Sequence, residues 1–303
     1  MSVIPNDFPA YLLDIKDFEG IKELPTIFRQ GRNILMKHRQ TGRFVTARFM
    51  ANGFDDFTHQ QDFFKEIWIQ IRLRHPCIER FRGFTLLRED DDKTAALIYD
   101  YNQNGTLESL LQQTQNEGLT GTQKFKIAYG VAYAMQYIHS LHILHRNLKP
   151  SKILLNHSLE PLVSDFSIAV FMNQSEEGDY IELAHEENKG TPLWRSPEMM
   201  HSNDENKYFL TMKSDVFQYG QLLKCLITND SNLKFNVDDL DNWQIIYNEE
   251  TRKYEESEDD LVMTYLQCVS VDPEERPPFG TIVQVFDQLI ENGLTISGEV
   301  DTE

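Results

Sequence analysis

The stretch that most constrains this chain is His145-Arg146-Asn147-Leu148-Lys149-Pro150-Ser151-Lys152-Ile153-Leu154-Leu155. It sets a short basic loop containing a proline directly against an apolar run. Ten residues beyond the run comes the Asp165-Phe166 pair of Ser164-Asp165-Phe166-Ser167, and later Gly190-Thr191-Pro192-Leu193-Trp194-Arg195-Ser196-Pro197-Glu198. A run this long, followed by the second motif at this spacing, is too specific to be accidental.

The rest of the chain can supply the core that such a loop needs. Its 303 residues are 40% hydrophobic and 11% aromatic, enough for a two-domain unit. The net charge is −19, with about +4 on the first 88 residues and about −23 on the rest. That balance disfavours nucleic acid and anionic membrane as partners. A solvated surface and an acidic docking face both fit it. Three cysteines, Cys77, Cys225 and Cys268, have no CxxC spacing, which suits a reduced cytoplasmic compartment. Residues 1–18 lack a basic start followed by an apolar stretch, so no signal peptide is expected. No apolar run reaches membrane-span length, and no internal repeat is found.

Phe8, Tyr11, Leu12, Ile15 and Phe18 have mixed helical spacing in a stretch (1–21) that reads as an extension packed on the domain. Residues 24–50 alternate in strand fashion around an Arg39-Gln40-Thr41-Gly42 turn. Residues 58–73 read as a helix with Phe63, Ile67 and Ile71 on one face, ended by His75-Pro76. Strands are expected at 81–87 and 95–101, across the acidic turn 89–92. Helical patterning follows from 105, clearest over 122–141 and 279–290. Residues 229–260 read as a polar, acidic surface excursion and 292–303 as a polar tail. The class is α+β, with a β-rich part at about 22–101 and a larger helical part at about 105–291.

In order and spacing, the three motifs resemble the catalytic loop, the metal-binding motif and the end of the activation segment of a protein kinase. The resemblance covers about residues 22–291 and implies a bilobal fold of the Ser/Thr or tyrosine-kinase-like group. It also implies ATP and Mg²⁺ as cofactors wherever binding is retained. The departures matter as much. Asn147 stands at the position of the catalytic Asp. A neutral amide cannot take up a proton near neutral pH. Lys152 stands where an Asn helps hold Mg²⁺, and an ammonium there repels the metal. His145 and Arg146 are implied to be structural: the His packs in the core, and the Arg often meets a phosphate. Lys149 is typical of the Ser/Thr class. Asp165 is retained as a metal ligand or a structural carboxylate, with Phe166 beside it, but Ser167 replaces the motif's Gly.

Phe44-Val45-Thr46-Ala47-Arg48 resembles the strand whose Lys meets the phosphates and a helix Glu, here Glu66. A bidentate Arg48–Glu66 pair fits, though a planar guanidinium would alter phosphate geometry. The glycine-rich loop falls at Thr26-Ile27-Phe28-Arg29-Gln30-Gly31, where Gly31 alone survives. Asn33 stands where a Val normally covers adenine. Tyr99 takes the gatekeeper position, Asp100 and Asn102 would offer backbone groups to adenine, and Leu154 would form the pocket floor. The scaffold is better kept. Glu198 matches the Glu that pairs with a buried Arg, here Arg276, and Asp215 matches the helix Asp that braces the catalytic loop.

In the segment 165–198, one of Glu176, Glu177, Asp179, Glu182, Glu186 or Glu187 is a candidate stand-in for a phosphate opposite Arg146. Ser175, Tyr180 and Thr191 are candidate phosphoacceptors. The expected function is a pseudokinase, a signalling or scaffold domain that binds a protein, such as an active kinase or its substrate, with weak or absent ATP binding. The alternatives are an unconventional active Ser/Thr kinase and a domain holding ATP as a structural ligand.

Overall fold

A computed structural model describes residues 8–25, 31–50, 57–89, 92–114, 118–172, 181–184, 190–200, 207–231 and 260–291. The positions of Thr26 to Gln30, the carboxylates at 176, 177, 179, 186 and 187, Ser175, Tyr180, most of the acidic excursion and the tail lie outside these residues. The chain divides into two compact units. The first is Met1–Gln103 with Ser164–Ile168, and the second is Asn104–Val163 with Ala169–Glu303.

Among the described residues, the first unit is a five-stranded antiparallel sheet with one α-helix. Its elements are β1 (Phe18–Leu24), β2 (Asn33–His38), β3 (Phe44–Phe49), α1 (Phe57–Gln70), β4 (Phe81–Glu89) and β5 (Asp92–Asp100), in sheet order β1-β2-β3-β5-β4. The β2–β3 hairpin closes where Gly42 adopts φ +69°, a left-handed value that suits glycine. Helix α1 buries Phe63, Ile67 and Ile71 against Phe81, Phe84, Ala95, Leu97 and Tyr99. The sheet begins earlier than the sequence suggests, because β1 pairs with β2 from Phe18 onward. Every β1 residue but Phe18 and Leu24 is exposed, so only backbone pairing marks this edge strand.

The preceding residues pack on the far edge of the same sheet. The Phe8 ring lies 5.7 Å from that of Phe64 and 5.1 Å from that of Phe84. The Leu13 amide donates to the Phe84 carbonyl at 2.8 Å. Gly83 makes this approach possible, since a Cβ there would lie 2.3 Å from the Tyr11 carbonyl oxygen.

The second unit is mainly helical. In chain order it holds α2 (Leu107–Gln113), α3 (Gly121–Ser140), β6 (Ile143–Leu144), β7 (Ile153–Leu155), β8 (Pro161–Val163), β9 (Val170–Phe171), β10 (Ile181–Ala184), α4 (Pro197–Met200), β11 (Lys207–Leu210), α5 (Met212–Thr228), α6 (Asp260–Cys268) and α7 (Phe279–Glu291). Thr120 with Gln123, and Thr211 with Ser214, form capping boxes that start α3 and α5. Asn229 ends α5 in the left-handed region, and its side chain accepts from the Leu119 amide and donates to the Thr114 carbonyl. Helix α3 is the centre of this unit. The Tyr219 hydroxyl donates to the Ala128 carbonyl at 3.0 Å, and the Tyr129 hydroxyl donates to Asp287 at 2.8 Å. Three two-stranded ribbons, β6–β9, β7–β8 and β10–β11, flank the loops between helices.

Candidate functional site

In the second unit, the loop after β6 hangs on one carboxylate. Asp215, buried in the first turn of α5, accepts from the His145 amide (Oδ2, 2.8 Å) and the Arg146 amide (Oδ1, 2.8 Å). His139 Nε2 lies 3.0 Å from Oδ2. Burial works against this charge, but the His139 hydrogen bond and the fields of His139 and His145 outweigh it and hold the carboxyl below its usual range. Arg146 takes φ +69°, rare for a side-chain-bearing residue. Gln218, one turn further along α5, donates to the Arg146 carbonyl at 3.0 Å and accepts from the Leu148 amide at 2.7 Å. Gln218 lies three residues beyond Asp215, yet nothing in its residue type announced this role.

Within the loop, His145 is fully buried and its Nδ1 accepts from the Asn147 amide at 3.2 Å. The Lys149 ammonium donates to Thr191 Oγ1 at 2.8 Å, and the Thr191 hydroxyl donates to Asn147 Oδ1 at 3.2 Å. Thr191, a candidate phosphoacceptor, thus has its hydroxyl engaged on both sides. An amide oxygen can orient a hydroxyl but cannot accept its proton. Lys152 closes the short 3₁₀ turn Pro150–Lys152 and is buried. Leu154, on β7, is also buried, and its backbone bridges Thr106.

A second bracing site lies at the start of α4. Arg276 donates to both oxygens of Glu198 at 2.8 Å, to the Ser270 carbonyl at 2.8 Å and to the Lys213 carbonyl at 3.0 Å. Ser196 and Ser214 also donate to Glu198. Burial opposes the Glu198 charge, but Arg276 outweighs it and the carboxyl is lowered.

In the first unit, Arg48 of β3 is buried among carboxylates. Its Nη1 lies 3.4 Å from Glu66 Oε1 and 4.0 Å from Asp165 Oδ1, and its Nη2 lies 3.4 Å from Glu79 Oε2. The guanidinium carbon sits 4.6 Å from the centre of the Tyr99 ring. The Tyr99 hydroxyl donates to Glu66 at 3.3 Å and accepts from Gln70 Nε2 at 3.3 Å. The expected bidentate Arg48–Glu66 pair is therefore corrected: the fork is split between Glu66 and Glu79. Sequence reasoning missed Glu79, which sits in the charged-looking run Ile78-Glu79-Arg80 with no motif to mark it.

Burial pushes the carboxyls of Glu66 and Glu79 up to about 7, against the pull of Arg48. The same burial opposes the Arg48 charge, but Tyr99, Glu79, Glu66 and Asp165 outweigh it and raise the guanidinium above its usual value. Asp165 adopts φ +66°, and its Oδ1 accepts from the Ser167 hydroxyl at 2.7 Å. Phe166 is fully buried.

The remaining positions show local engagement. The Asp100 carboxylate takes a bidentate pair from Arg82 at 2.7 and 2.6 Å. The Asp100 amide donates to the Arg80 carbonyl, and the Asp100 carbonyl accepts from Asn102 Nδ2 at 3.3 Å. Gly31 has φ +99°.

The Mg²⁺–ATP arrangement that the motifs imply calls for oxygen ligands on the metal. Of the two positions that would hold metal, one carries a carboxylate, Asp165, shared with Ser167 and near Arg48. The other carries the Lys152 ammonium. Among the described residues no group of three or more His, Cys, Asp or Glu side chains is placed to hold a metal ion. None of the described helices is long and apolar enough to cross a membrane.

A β-rich unit with a buried cation on its third strand, and a helical unit whose loop hangs on a helix Asp, define an α+β domain of the protein-kinase type. The family model for protein tyrosine and serine/threonine kinases matches residues 32–286. The chain belongs to that family. It is similar to Protein SUPPRESSOR OF NPR1-1 CONSTITUTIVE 4 of Arabidopsis thaliana, 26% identical over 272 residues, covering 82% of this chain and 23% of that protein. It is similar to Receptor protein kinase WSS1 of Oryza sativa subsp. japonica, 29% identical over 217 residues, covering 70% of this chain and 22% of that protein. It is similar also to Cysteine-rich receptor-like protein kinase 8 of Arabidopsis thaliana, 29% identical over 261 residues, covering 78% of this chain and 36% of that protein. The chain thus spans between 22% and 36% of the length of these relatives.

Proposed function

We propose that this kinase-family domain works as a signalling or scaffold module with impaired phosphoryl transfer, binding a protein partner in the cytoplasm. The partner is an active kinase or its substrate. The observation that carries the reading is Asn147: an amide holds the base position, and its oxygen already accepts the Thr191 hydroxyl at 3.2 Å. Loss of a general base alone costs about 10²–10⁴ in rate, and the Lys152 substitution weakens metal binding on top of that. None of the three cysteines is in a disulfide, which supports a reduced compartment.

An unconventional active kinase is the second reading. It is favoured by the Lys149–Thr191–Asn147 chain, which can still orient a hydroxyl. Radiolabel transfer by the purified chain decides between them, with Asp165→Ala as the control for contaminating activity. The scaffold reading expects label at the control level. Turnover of about 1–100 s⁻¹, the ordinary kinase range, that is abolished by Asn147→Ala would overturn it.

A further inference from the structure

We propose that Glu79 is a built-in competitor for nucleotide phosphate: it occupies the face of the Arg48 guanidinium that a phosphate would need. The inference rests on the family reading that puts phosphates at residue 48, and it deepens the proposed function by naming a residue that keeps nucleotide out.

The geometry is that of a fork held at both tines. Nη1 faces Glu66 on α1, and Nη2 faces Glu79, which lies between α1 and β4, each at 3.4 Å. Tyr99 covers one face of the plane at 4.6 Å, and Asp165 approaches Nη1 at 4.0 Å. A guanidinium binds carboxylate and phosphate through the same planar donors. An Nη donor committed to a buried carboxylate is therefore withheld from a phosphate oxygen.

The neighbours of Glu79 explain why its carboxylate turns to Arg48. Ile78 and Phe81 beside it are buried and apolar, and Glu79 itself is 5% exposed. A carboxylate in that setting needs a cation in contact. A lysine at 48 would offer a compact ammonium, whereas the planar fork reaches two carboxylates in different directions. Arg48 and Glu79 thus make sense as a pair and are each unfavourable alone. Together they tie β3 to α1 and to the strand entry at Phe81 with internal groups only.

The test is nucleotide binding by the full chain, read by calorimetry and by thermal shift, with ATP and ADP, with and without Mg²⁺. Wild type is compared with Glu79→Val, Glu79→Gln and the double variant Arg48→Met/Glu79→Val. Glu79→Gln keeps shape and hydrogen bonding if Glu79→Val fails to fold. The expected result is a gain in affinity of at least about tenfold on removing the carboxylate, lost again when Arg48 is also removed, because the freed guanidinium is what would receive the phosphate. Equal affinity of wild type and the single variants, whether tight or undetectable, overturns the proposal. So does a gain that survives without Arg48. The radiolabel experiment above is independent. Wild-type turnover sinks the scaffold reading, whereas a silent wild type with no gain at Glu79 sinks only this one.

Discussion

Replacing Asp215 with Asn should test how the Asn147 loop is held. The aspartate has two oxygens and three partners: the Arg146 amide at Oδ1, and the His145 amide and His139 at Oδ2. Asparagine keeps one acceptor and turns the other into a donor. Its better orientation leaves the oxygen toward His145 and His139 and sets the NH₂ against the Arg146 N–H. One charge-assisted bond is then lost, about 1.5–3 kcal/mol, and a buried amide is left unsatisfied, about 1–3 kcal/mol. These terms overlap, so about 2–5 kcal/mol is expected. At about 2–4 °C per kcal/mol for a unit of this size, the thermal midpoint should fall by about 5–15 °C. Hydrogen exchange should deprotect the Arg146 amide first, since its bond to Asp215 is the one that the NH₂ group replaces. The pH dependence has a fixed sign. The folded Asp215 carboxyl is lowered, so its stabilisation is present above the unfolded value of about 3.9 and fades as pH falls through the folded one. The gap between wild type and variant should therefore close in acid. A midpoint change under about 2 °C, with the Arg146 amide still protected, would show that the loop does not depend on this carboxylate.

Three further outcomes follow from the same kind of reasoning. The Glu66 and Glu79 carboxyls are raised to about 7 in the folded state, so their contribution is greatest below about pH 4.5 and is lost as pH rises to about 7, by about 3 kcal/mol for one carboxyl. His75 is lowered by burial and acts with the opposite sign. The difference between wild type and Glu79→Gln across pH 5–8 cancels that effect, and a pH-independent difference would contradict the raised carboxyls. Gly83→Ala would drive a Cβ to 2.3 Å from the Tyr11 carbonyl oxygen, so residues 8–17 should leave the sheet edge and be cut faster by protease; an unchanged cleavage rate would refute that docking. Arg276→Met leaves the Glu198 carboxylate without its bidentate partner and should cost about 3–5 kcal/mol in denaturant unfolding, while a loss below about 1 kcal/mol would mean that Ser196 and Ser214 suffice.

How much of this could be read from the sequence depends on how each residue is specified. Asp215 and Glu198 carry signals in their own neighbourhood, because each sits in a motif whose order survives even where its partner lies about 70 positions away. Helix α1 and helix α3 were readable because one buried face imposes a regular spacing on the residues that fill it. Strand β1 was not, because five of its seven residues are exposed and only hydrogen bonding to β2 defines it. Thr191 and Gln218 were visible as residues but not as partners, since a hydroxyl or an amide suits many acceptors.

Glu79 was hidden for a deeper reason. A glutamate between Ile78 and Arg80 reads as surface, and what makes it buried is an arginine thirty-one positions earlier. Taken alone, Arg48 reads as the loss of a phosphate-binding lysine. With Glu79 beside it, the same substitution reads as a rewiring, in which a contact made to a ligand elsewhere in the family is made here to the chain itself. Unconstrained loss would leave a buried charge without its partner, at a cost of several kcal/mol, whereas here the guanidinium has a carboxylate on each Nη and an aromatic face beneath it. That pairing is the physical reason to expect the first unit to hold its arrangement with no nucleotide bound.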